Sequence, residues 1–201
     1  MSSIRLATIV VGGFVEPWLA LGFAIDDQGR IPLINGALEF TGEGSGLLGI
    51  TVDGLVESSV DVDGITVSGG SVSPAIDHPN GAYELDHLVV MTDSLERTSD
   101  AVVDALGFER RRIRETEGQR QAFHRMGPGG VILEIVERPD VTKVGLLGVV
   151  FNVLDLDGLV AAHDREVLGL AKPATQPGRL IASVRSGAGL GVPTAFMSPD
   201  V

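Results

Sequence analysis

The chain has 201 residues, of which 44% are hydrophobic and 21% charged, which is typical of a globular protein with one large domain or two small ones. Its net charge of −12 and aromatic content of 4% argue against partners such as nucleic acid or an anionic membrane. Cysteine is absent, which excludes disulfides, zinc–thiolate sites and thiol nucleophiles. Glu16 and Pro17 break the N-terminal apolar run, and no apolar run reaches the roughly 20 residues of a membrane span. We therefore expect a cytoplasmic protein.

Residues 1–75 predict a strand-rich region with little helix. Proline at position 17 suits the first turn of a helix that spans at most two turns, and Asn35-Gly36 is a turn signal between two extended segments. Segment 55–63 shows no helical periodicity. A stretch rich in glycine, serine and proline then predicts a linker, placed at 76–83. The predicted strands are 4–11, 30–40 with its break, 47–52 and 65–68, and the helix is 16–23.

Residues 84–137 predict a strand, a helix and three further strands. Ser94 can cap the helix and Gly107 can end it, and Leu95, Val102, Val103 and Leu106 recur at helical spacing. Pro128-Gly129 predicts the turn between the last two strands. The predicted bounds are 85–91 for the first strand, 94–106 for the helix, and 108–114, 120–126 and 131–137 for the other strands.

Residues 145–197 predict a second unit of the same kind. It has a strand at 145–152, a helix at 156–168, and a closing hairpin of strands 179–185 and 192–197. The glycine-rich loop 186–191 lies between strands and precedes no helix, so we interpret it as a hairpin loop and not as a phosphate-binding loop.

Short internal repeats link the two halves of the chain. The sequence GLLG at 46–49 recurs at 145–148, and ALEF at 37–40 resembles ILEI at 132–135. DVDG at 61–64 is matched by DLDG at 155–158. Because the matches occur in the same order, residues 1–75 are interpreted as an eroded copy of 84–201, with a simple strand-rich extension as the alternative.

The βαβββ pattern, with LDH at 85–87 in its first strand and ILE at 132–134 in its last, resembles the modules of the vicinal oxygen chelate superfamily. That superfamily includes glyoxalases, bleomycin resistance proteins and extradiol dioxygenases. The resemblance implies an α+β fold in which paired βαβββ modules form a curved mixed sheet around a cup. It gives an eroded N-terminal region at 1–75, a linker at 76–83 and a glyoxalase-like domain at 84–201.

The resemblance also implies that His87 and Glu134 form the ligand pair of the first module. The second module should supply the remaining metal ligands, but alignment places Gly148 and Thr194 there, and neither replaces an imidazole or a carboxylate. The N-terminal copy has Thr8, Glu39 and Gly49 at the corresponding positions. We therefore expect no cofactor, and the incomplete set disfavours a divalent metal.

His87 and Glu134 allow three interpretations. They can be a buried polar pair or ligand contact, an acid–base dyad in which Glu134 orients the imidazole, or two members of a metal site. The other histidines, His78, His124 and His163, are predicted at the surface.

The candidate ligand-binding residues follow from strand alternation. If Pro128-Gly129 is a two-residue turn, Gln121, Phe123 and Arg125 share the face of Glu134. A turn that differs by one residue would present a different set. Arg125 and Arg179 suit an anionic group by forked hydrogen bonds, and Thr194 completes the set of substrate-binding candidates. If the turn differs by one residue, the residues that share the face of Glu134 are instead Arg120, Ala122 and His124.

Together these features predict a protein that binds a small, partly apolar organic molecule with a polar or anionic end. If it is an enzyme, it is a lyase, isomerase or hydrolase with His87 as base. The alternative is a non-catalytic sequestering protein of the bleomycin-resistance type. The N-terminal copy can serve as an assembly surface, so a homodimer is a further expectation.

Overall fold

The N-terminal part of the chain forms a mixed six-stranded sheet with one short helix. The computed structural model describes residues 4–127 and 129–199, so Pro128 of the predicted turn lies outside the described residues. The elements are β1 Arg5–Gly12, α1 Glu16–Ala20, β2 Ile31–Leu33, β3 Gly36–Phe40, β4 Gly46–Asp53, β5 Ser59–Val62 and β6 Ile65–Gly69. The strand order is β2-β3-β1-β4-β6-β5.

The C-terminal part forms a mixed eight-stranded sheet with two helices. The elements are β7 Ala82–Thr92, α2 Leu95–Leu106, β8 Arg110–Thr116, β9 Gln119–Arg125, β10 Ile132–Glu137, β11 Gly145–Val153, α3 Leu156–Ala162, β12 Lys172–Pro173, β13 Leu180–Ser183 and β14 Thr194–Met197. The strand order is β12-β13-β14-β11-β7-β10-β9-β8.

Both sheets are built around the same pairing pattern. β1 runs parallel to β3 and antiparallel to β4, and β4 runs parallel to β6. In the second sheet β7 runs parallel to β10 and antiparallel to β11, and β11 runs parallel to β14. The predicted α+β fold of paired modules with an eroded N-terminal copy is confirmed. The erosion is visible after β4, where residues 54–58 form no helix.

The strand registers show which residues of the copies are equivalent. Thr8 is paired with Ala37 on the parallel neighbour, just as His87 is paired with Ile132. Glu39 therefore corresponds to Glu134, as the alignment of ALEF with ILEI predicts.

A β-bulge recurs in the first strand of every module. In each of these strands the ladder skips a residue immediately before the position that corresponds to His87, and β7 skips a further residue, Tyr83, nearer its start. A bulge turns its extra side chain and shifts the alternation of the strand beyond it. The residues skipped at the shared position are Ala7 in β1, Leu48 in β4, Asp86 in β7 and Leu147 in β11. Asp86 is thus the charged residue among the bulged positions.

Helix α2 follows the predicted pattern with one exception. It begins after Ser94 and ends at Gly107, whose φ of 66° is the left-handed conformation that glycine adopts without strain. Leu95, Val102 and Leu106 are buried. Val103 is 37% exposed, so its predicted place on the buried face is wrong.

Helix α3 ends at Ala162 and not at position 168 as predicted. Its start is capped by Asp155, whose Oδ1 accepts the Gly158 N–H at 2.8 Å. Beyond the helix, Asp164 Oδ1 accepts the Glu166 N–H at 2.9 Å, so this side chain stabilises a turn that competes with another helical turn. No helix in the described ranges is both long and apolar enough to cross a membrane.

The match between DVDG and DLDG is a sequence coincidence. Asp63-Gly64 forms the tight turn between β5 and β6, with φ values of 52° and 87°, whereas Asp155 caps a helix. The strand β5 itself was not predicted, although Val60 and Val62 alternate with polar residues as in a half-buried strand.

The predicted linker is packed against the N-terminal sheet. Asn80 is buried, and its amide donates to the Leu21 carbonyl at 3.1 Å.

A cluster of aromatic rings also joins the two sheets, since Phe23 lies 5.0 Å from Phe151 and 5.9 Å from Phe196 between centroids. The division of the chain at 76–83 stays a prediction.

Two histidines predicted at the surface are buried, so that prediction is wrong. His78 Nδ1 accepts the Ala24 N–H at 3.1 Å, and its Nε2 lies 3.0 Å from the Pro32 carbonyl. His124 Nδ1 lies 2.8 Å from the Phe108 carbonyl, and its Nε2 lies 2.9 Å from the Ser99 hydroxyl. Each neutral ring finds a partner for both nitrogens, which allows burial. Burial lowers the pKa of both histidines.

This burial predicts a loss of stability in mild acid. The unfolded chain takes up protons below about pH 6.5, whereas the folded histidines do so only at lower pH, so stability is full above that value and falls below it. When the pH is lowered from about 7.5 to 5, we expect the melting temperature of His124→Asn to fall less than that of the native protein. His163→Asn, at a partly exposed position, is the control. An equal pH dependence in both variants would contradict the assignment.

Candidate active site

A cavity of about 440 Å³ opens on one face of the eight-stranded sheet. β7 and β10 contribute its floor, β8 and β9 one wall, and β13, β14 and the segment 174–176 the other. The lining is partly apolar, through Ile132, Ile181 and Met197. A cavity of this size suits a small organic molecule.

The structure brings His87 and Glu134 together in this cavity. They lie on neighbouring parallel strands, and His87 Nε2 is 3.5 Å from Glu134 Oε2. Both side chains are mostly buried, with exposed fractions of 18% and 14%. The two residues therefore share one face of the sheet, as strand alternation requires.

Asp86 is the site residue that the sequence reading missed. In a regular strand it would point away from His87, but it is the bulged residue of β7 and also lines the cavity. Its Oδ2 lies 2.7 Å from His87 Nδ1. The same bulge places Leu85 on the buried side, although regular alternation from the sequence alone would give residues 85 and 87 the same face.

Asp86 fixes the proton on the His87 ring. Burial alone would raise the pKa of Asp86, but hydrogen bonds from His87 and Arg179 outweigh it and lower that pKa below its ordinary value. An ionised carboxylate only accepts hydrogen bonds, so Nδ1 carries the proton and donates it. In the neutral ring Nε2 is then an acceptor that faces the cavity.

Arg179 holds Asp86 and does not line the cavity. Its side chain is 3% exposed, and its Nη1 lies 2.7 Å from Asp86 Oδ1. The guanidinium also donates to the Ser198 carbonyl, at 2.9 Å and 2.8 Å, and to Asn152 and Gln176. The structure thus corrects the expectation that Arg179 binds an anionic ligand, because its donors are directed into the protein.

Gln121, Phe123 and Arg125 line the cavity, as the first of the two predicted registers requires. Arg125 is paired with Ile132, and Phe123 with Glu134. The alternative set is excluded as a cavity lining. Its Arg120 forms ion pairs with Glu96, Glu115 and Glu137, and its Ala122 and His124 are buried. Gln121 Nε2 donates to Glu134 Oε1, which orients the carboxylate.

Thr194 lies on the other side of β14, away from the cavity. It is buried, and its hydroxyl donates to the Val192 carbonyl at 3.0 Å. The registers also show that its alignment with Glu134 is displaced by one residue: Ala195 is the equivalent residue of the second module. The predicted contact of Thr194 with a ligand is therefore not supported by its position.

A divalent metal, which the resemblance to the vicinal oxygen chelate superfamily implies, does not fit the residues of this cavity. Gly148 and Ala195 stand at the second module's ligand positions, and neither has a donor side chain. Both carboxylate oxygens of Asp86 are engaged, by His87 and by Arg179. Within the described ranges no three histidine, cysteine, aspartate or glutamate side chains form a group that could hold a metal ion.

Comparison with solved structures confirms the fold. A triple mutant of 4-hydroxymandelate synthase from Streptomyces coelicolor superposes with a TM-score of 0.67 at 13% identity, over 98% of this chain and 92% of that one. Methylmalonyl-CoA epimerase from Mycobacterium tuberculosis gives a TM-score of 0.52 at 17% identity, over 60% of this chain and 91% of that one. The chain shares its fold with these two proteins, in agreement with the predicted paired βαβββ modules. No protein-family model and no curated protein matches the sequence.

Removing the Arg179 guanidinium should destabilise the fold. Arg179→Met leaves Asp86 buried with only His87 as its partner, and breaking such a buried pair costs about 3–5 kcal/mol. Urea denaturation would measure the free energy of unfolding. Arg165→Met, at an exposed position, should change that free energy by less than about 0.5 kcal/mol. Equal losses in the two variants would show that Arg179 has no special role.

The donor set also predicts weak metal binding. Two protein ligands compete poorly with water, so we expect dialysis against EDTA to leave the melting temperature unchanged and added Zn²⁺ or Ni²⁺ to bind weakly. Elemental analysis of the purified protein would measure its metal content. Stoichiometric metal together with a fall in melting temperature after EDTA treatment would overturn the prediction.

Proposed function

We propose that the protein binds a small, partly apolar organic molecule in this cavity and moves a proton on it, with His87 as the base. The observation that carries the proposal is the hydrogen bond of 2.7 Å between Asp86 and His87 Nδ1. It orients the ring, fixes the tautomer and directs Nε2 into the cavity. The reaction class is an isomerisation, elimination or hydrolysis that begins with proton transfer.

Glu134 and Arg179 support this role from opposite sides. When the ring accepts a proton at Nε2, the resulting imidazolium lies between the carboxylates of Asp86 and Glu134, which stabilise its charge. Arg179 keeps Asp86 in place and ionised. In this scheme His87 is the catalytic residue, Glu134 stabilises the charge near it, and Asp86 and Arg179 are positioning residues.

The cavity walls define the kind of ligand. Ile132, Ile181 and Met197 offer apolar contact, while Arg112, Arg114 and Arg125 provide positive charge. A molecule with an apolar body and an anionic end matches both. The two solved structures are named for methylmalonyl-CoA and for 4-hydroxymandelate, but identities of 17% and 13% support only the fold, so neither name supplies the substrate.

Sequestration without chemistry is the second candidate. It is favoured by the way the polar groups satisfy one another, since Glu134 accepts from Gln121, and Asp86 from both His87 and Arg179. In that case the site would hold its ligand by shape and charge alone.

Proton exchange with solvent separates the two candidates. Small organic anions that raise the melting temperature would be incubated with the protein in D2O, and NMR would follow deuterium incorporation or product formation. We expect His87→Gln to lower the rate by about 10²–10⁴-fold while ligand affinity changes little, because only the base is lost. His163→Gln, the same change outside the cavity, should leave the rate unchanged.

Other outcomes are equally informative. If no bound ligand exchanges a proton or is converted, sequestration replaces catalysis. If Asp86→Asn retains the full rate, the tautomer of His87 does not matter and the dyad is wrong. A His87→Gln variant with native activity would remove the proposal altogether.

A further inference from the structure

The edge strand β8 carries a run of arginines whose positions are set by a second bulge. The ladder to β9 pairs Arg110 with His124 and Arg112 with Phe123, so Arg111 is the extra residue. Arg110 is turned toward the helix α2, where it lies 3.2 Å from Ser99 Oγ. Arg111, Arg112 and Arg114 all line the cavity.

Three arginines at the cavity have no carboxylate partner among the residues that the structure describes. The chain carries 27 acidic against 15 basic residues, and within the described ranges seven arginines form ion pairs of 2.5–3.7 Å, as Arg111 does with Glu109 at 3.1 Å. Within residues 4–127 and 129–199, no ion pair forms at Arg112, Arg114 or Arg125. In so acidic a protein, unpaired cations grouped at one cavity indicate a site for an external anion.

Arg112 is held in place before any ligand arrives. Its guanidinium carbon lies 4.6 Å from the centroid of the Phe123 ring, a cation–π contact. This contact holds the cation over the ring without using its N–H groups, which stay able to bind an anion. Arg114 follows on the same face of β8, opposite Gln121.

The registers give the distance between this group and the base. Arg112 lies opposite Phe123, which lies opposite Glu134 on the strand next to His87. β8 is three strands from β7, so with about 4.8 Å per strand the backbones are about 14 Å apart. Side chains reach inward from both ends, and the ligand must therefore bridge on the order of 10 Å.

We propose that Arg112, Arg114 and Arg125 form an anion subsite that binds the phosphate group of an elongated organic phosphate. The proposal rests on the proposed function, since it names the far end of the molecule that His87 acts on. Phosphate is favoured over a lone carboxylate because three unpaired guanidinium groups match a charge of about −1.5 to −2, whereas a carboxylate supplies only one charge. Guanidinium groups also bind phosphate oxygens in pairs.

Inorganic pyrophosphate is the probe for this subsite, with acetate as the monoanionic comparison. Calorimetric titration should show pyrophosphate binding to the native protein and little binding of acetate. Arg112→Gln combined with Arg114→Gln should weaken pyrophosphate binding about tenfold or more. Arg165→Gln is the matched control, and it should bind pyrophosphate like the native protein.

His87→Gln separates this proposal from the proposed function. Because the subsite is formed by arginines of β8 and β9 and not by His87, this variant should bind pyrophosphate with native affinity, and a large loss would place the anion at His87 and overturn the subsite. Equal weakening by Arg165→Gln, or equal binding of acetate and pyrophosphate, would overturn it as well. If the arginine variants keep native affinity while His87 still supports proton exchange, the subsite is wrong and the proposed function stands. If the native protein binds organic phosphates more tightly than inorganic phosphate, the result supports an organic phosphate as the natural ligand.

Discussion

The site depends on the hydrogen bond between Asp86 and His87, which two adjacent residues of a strand can form only at a bulge. Adjacent side chains in a regular strand point to opposite faces of the sheet. The extra residue in β7 brings Asp86 to the face of its neighbour, and the bond of 2.7 Å then fixes the orientation of the imidazole. The tautomer and the direction of Nε2 follow from this local irregularity.

The bulge is a property of the architecture, and its use in this site is specific to one module. The first strand of every module has it, but the side chains at the equivalent positions are Ala7, Leu48 and Leu147. The residues that follow them, Thr8, Gly49 and Gly148, cannot replace an imidazole. Repetition thus provides the same backbone geometry four times, and the side chains place the chemistry in the third copy.

Charge is distributed in the same uneven way. Residues 1–84 carry 2 basic and 11 acidic residues, and the remainder carries 13 and 16. In the C-terminal half two arginine environments bear on the site. Arg179 is buried with its donors used inside the protein, whereas Arg112 and Arg114 line the open side of the cavity. Burial of Arg179 stabilises the ionised Asp86, while the arginines at the cavity keep their charge available to a ligand.

The sequence by itself determined most strands of both halves and helix α2, because alternation, helical spacing and turn residues are local signals. The fold class and the convergence of His87 with Glu134 came from the resemblance of the βαβββ pattern to a known family, whereas the strands β5 and β12 were not predicted. The sequence also limited the register of Gln121, Phe123 and Arg125 to two alternatives. Only the tertiary structure decided between them, revealed the bulge at Asp86, turned Arg179 inward and buried His78 and His124. Bulges, strand registers and partners for buried polar groups depend on residues far apart in the chain, because they arise only when strands are paired and the core is closed.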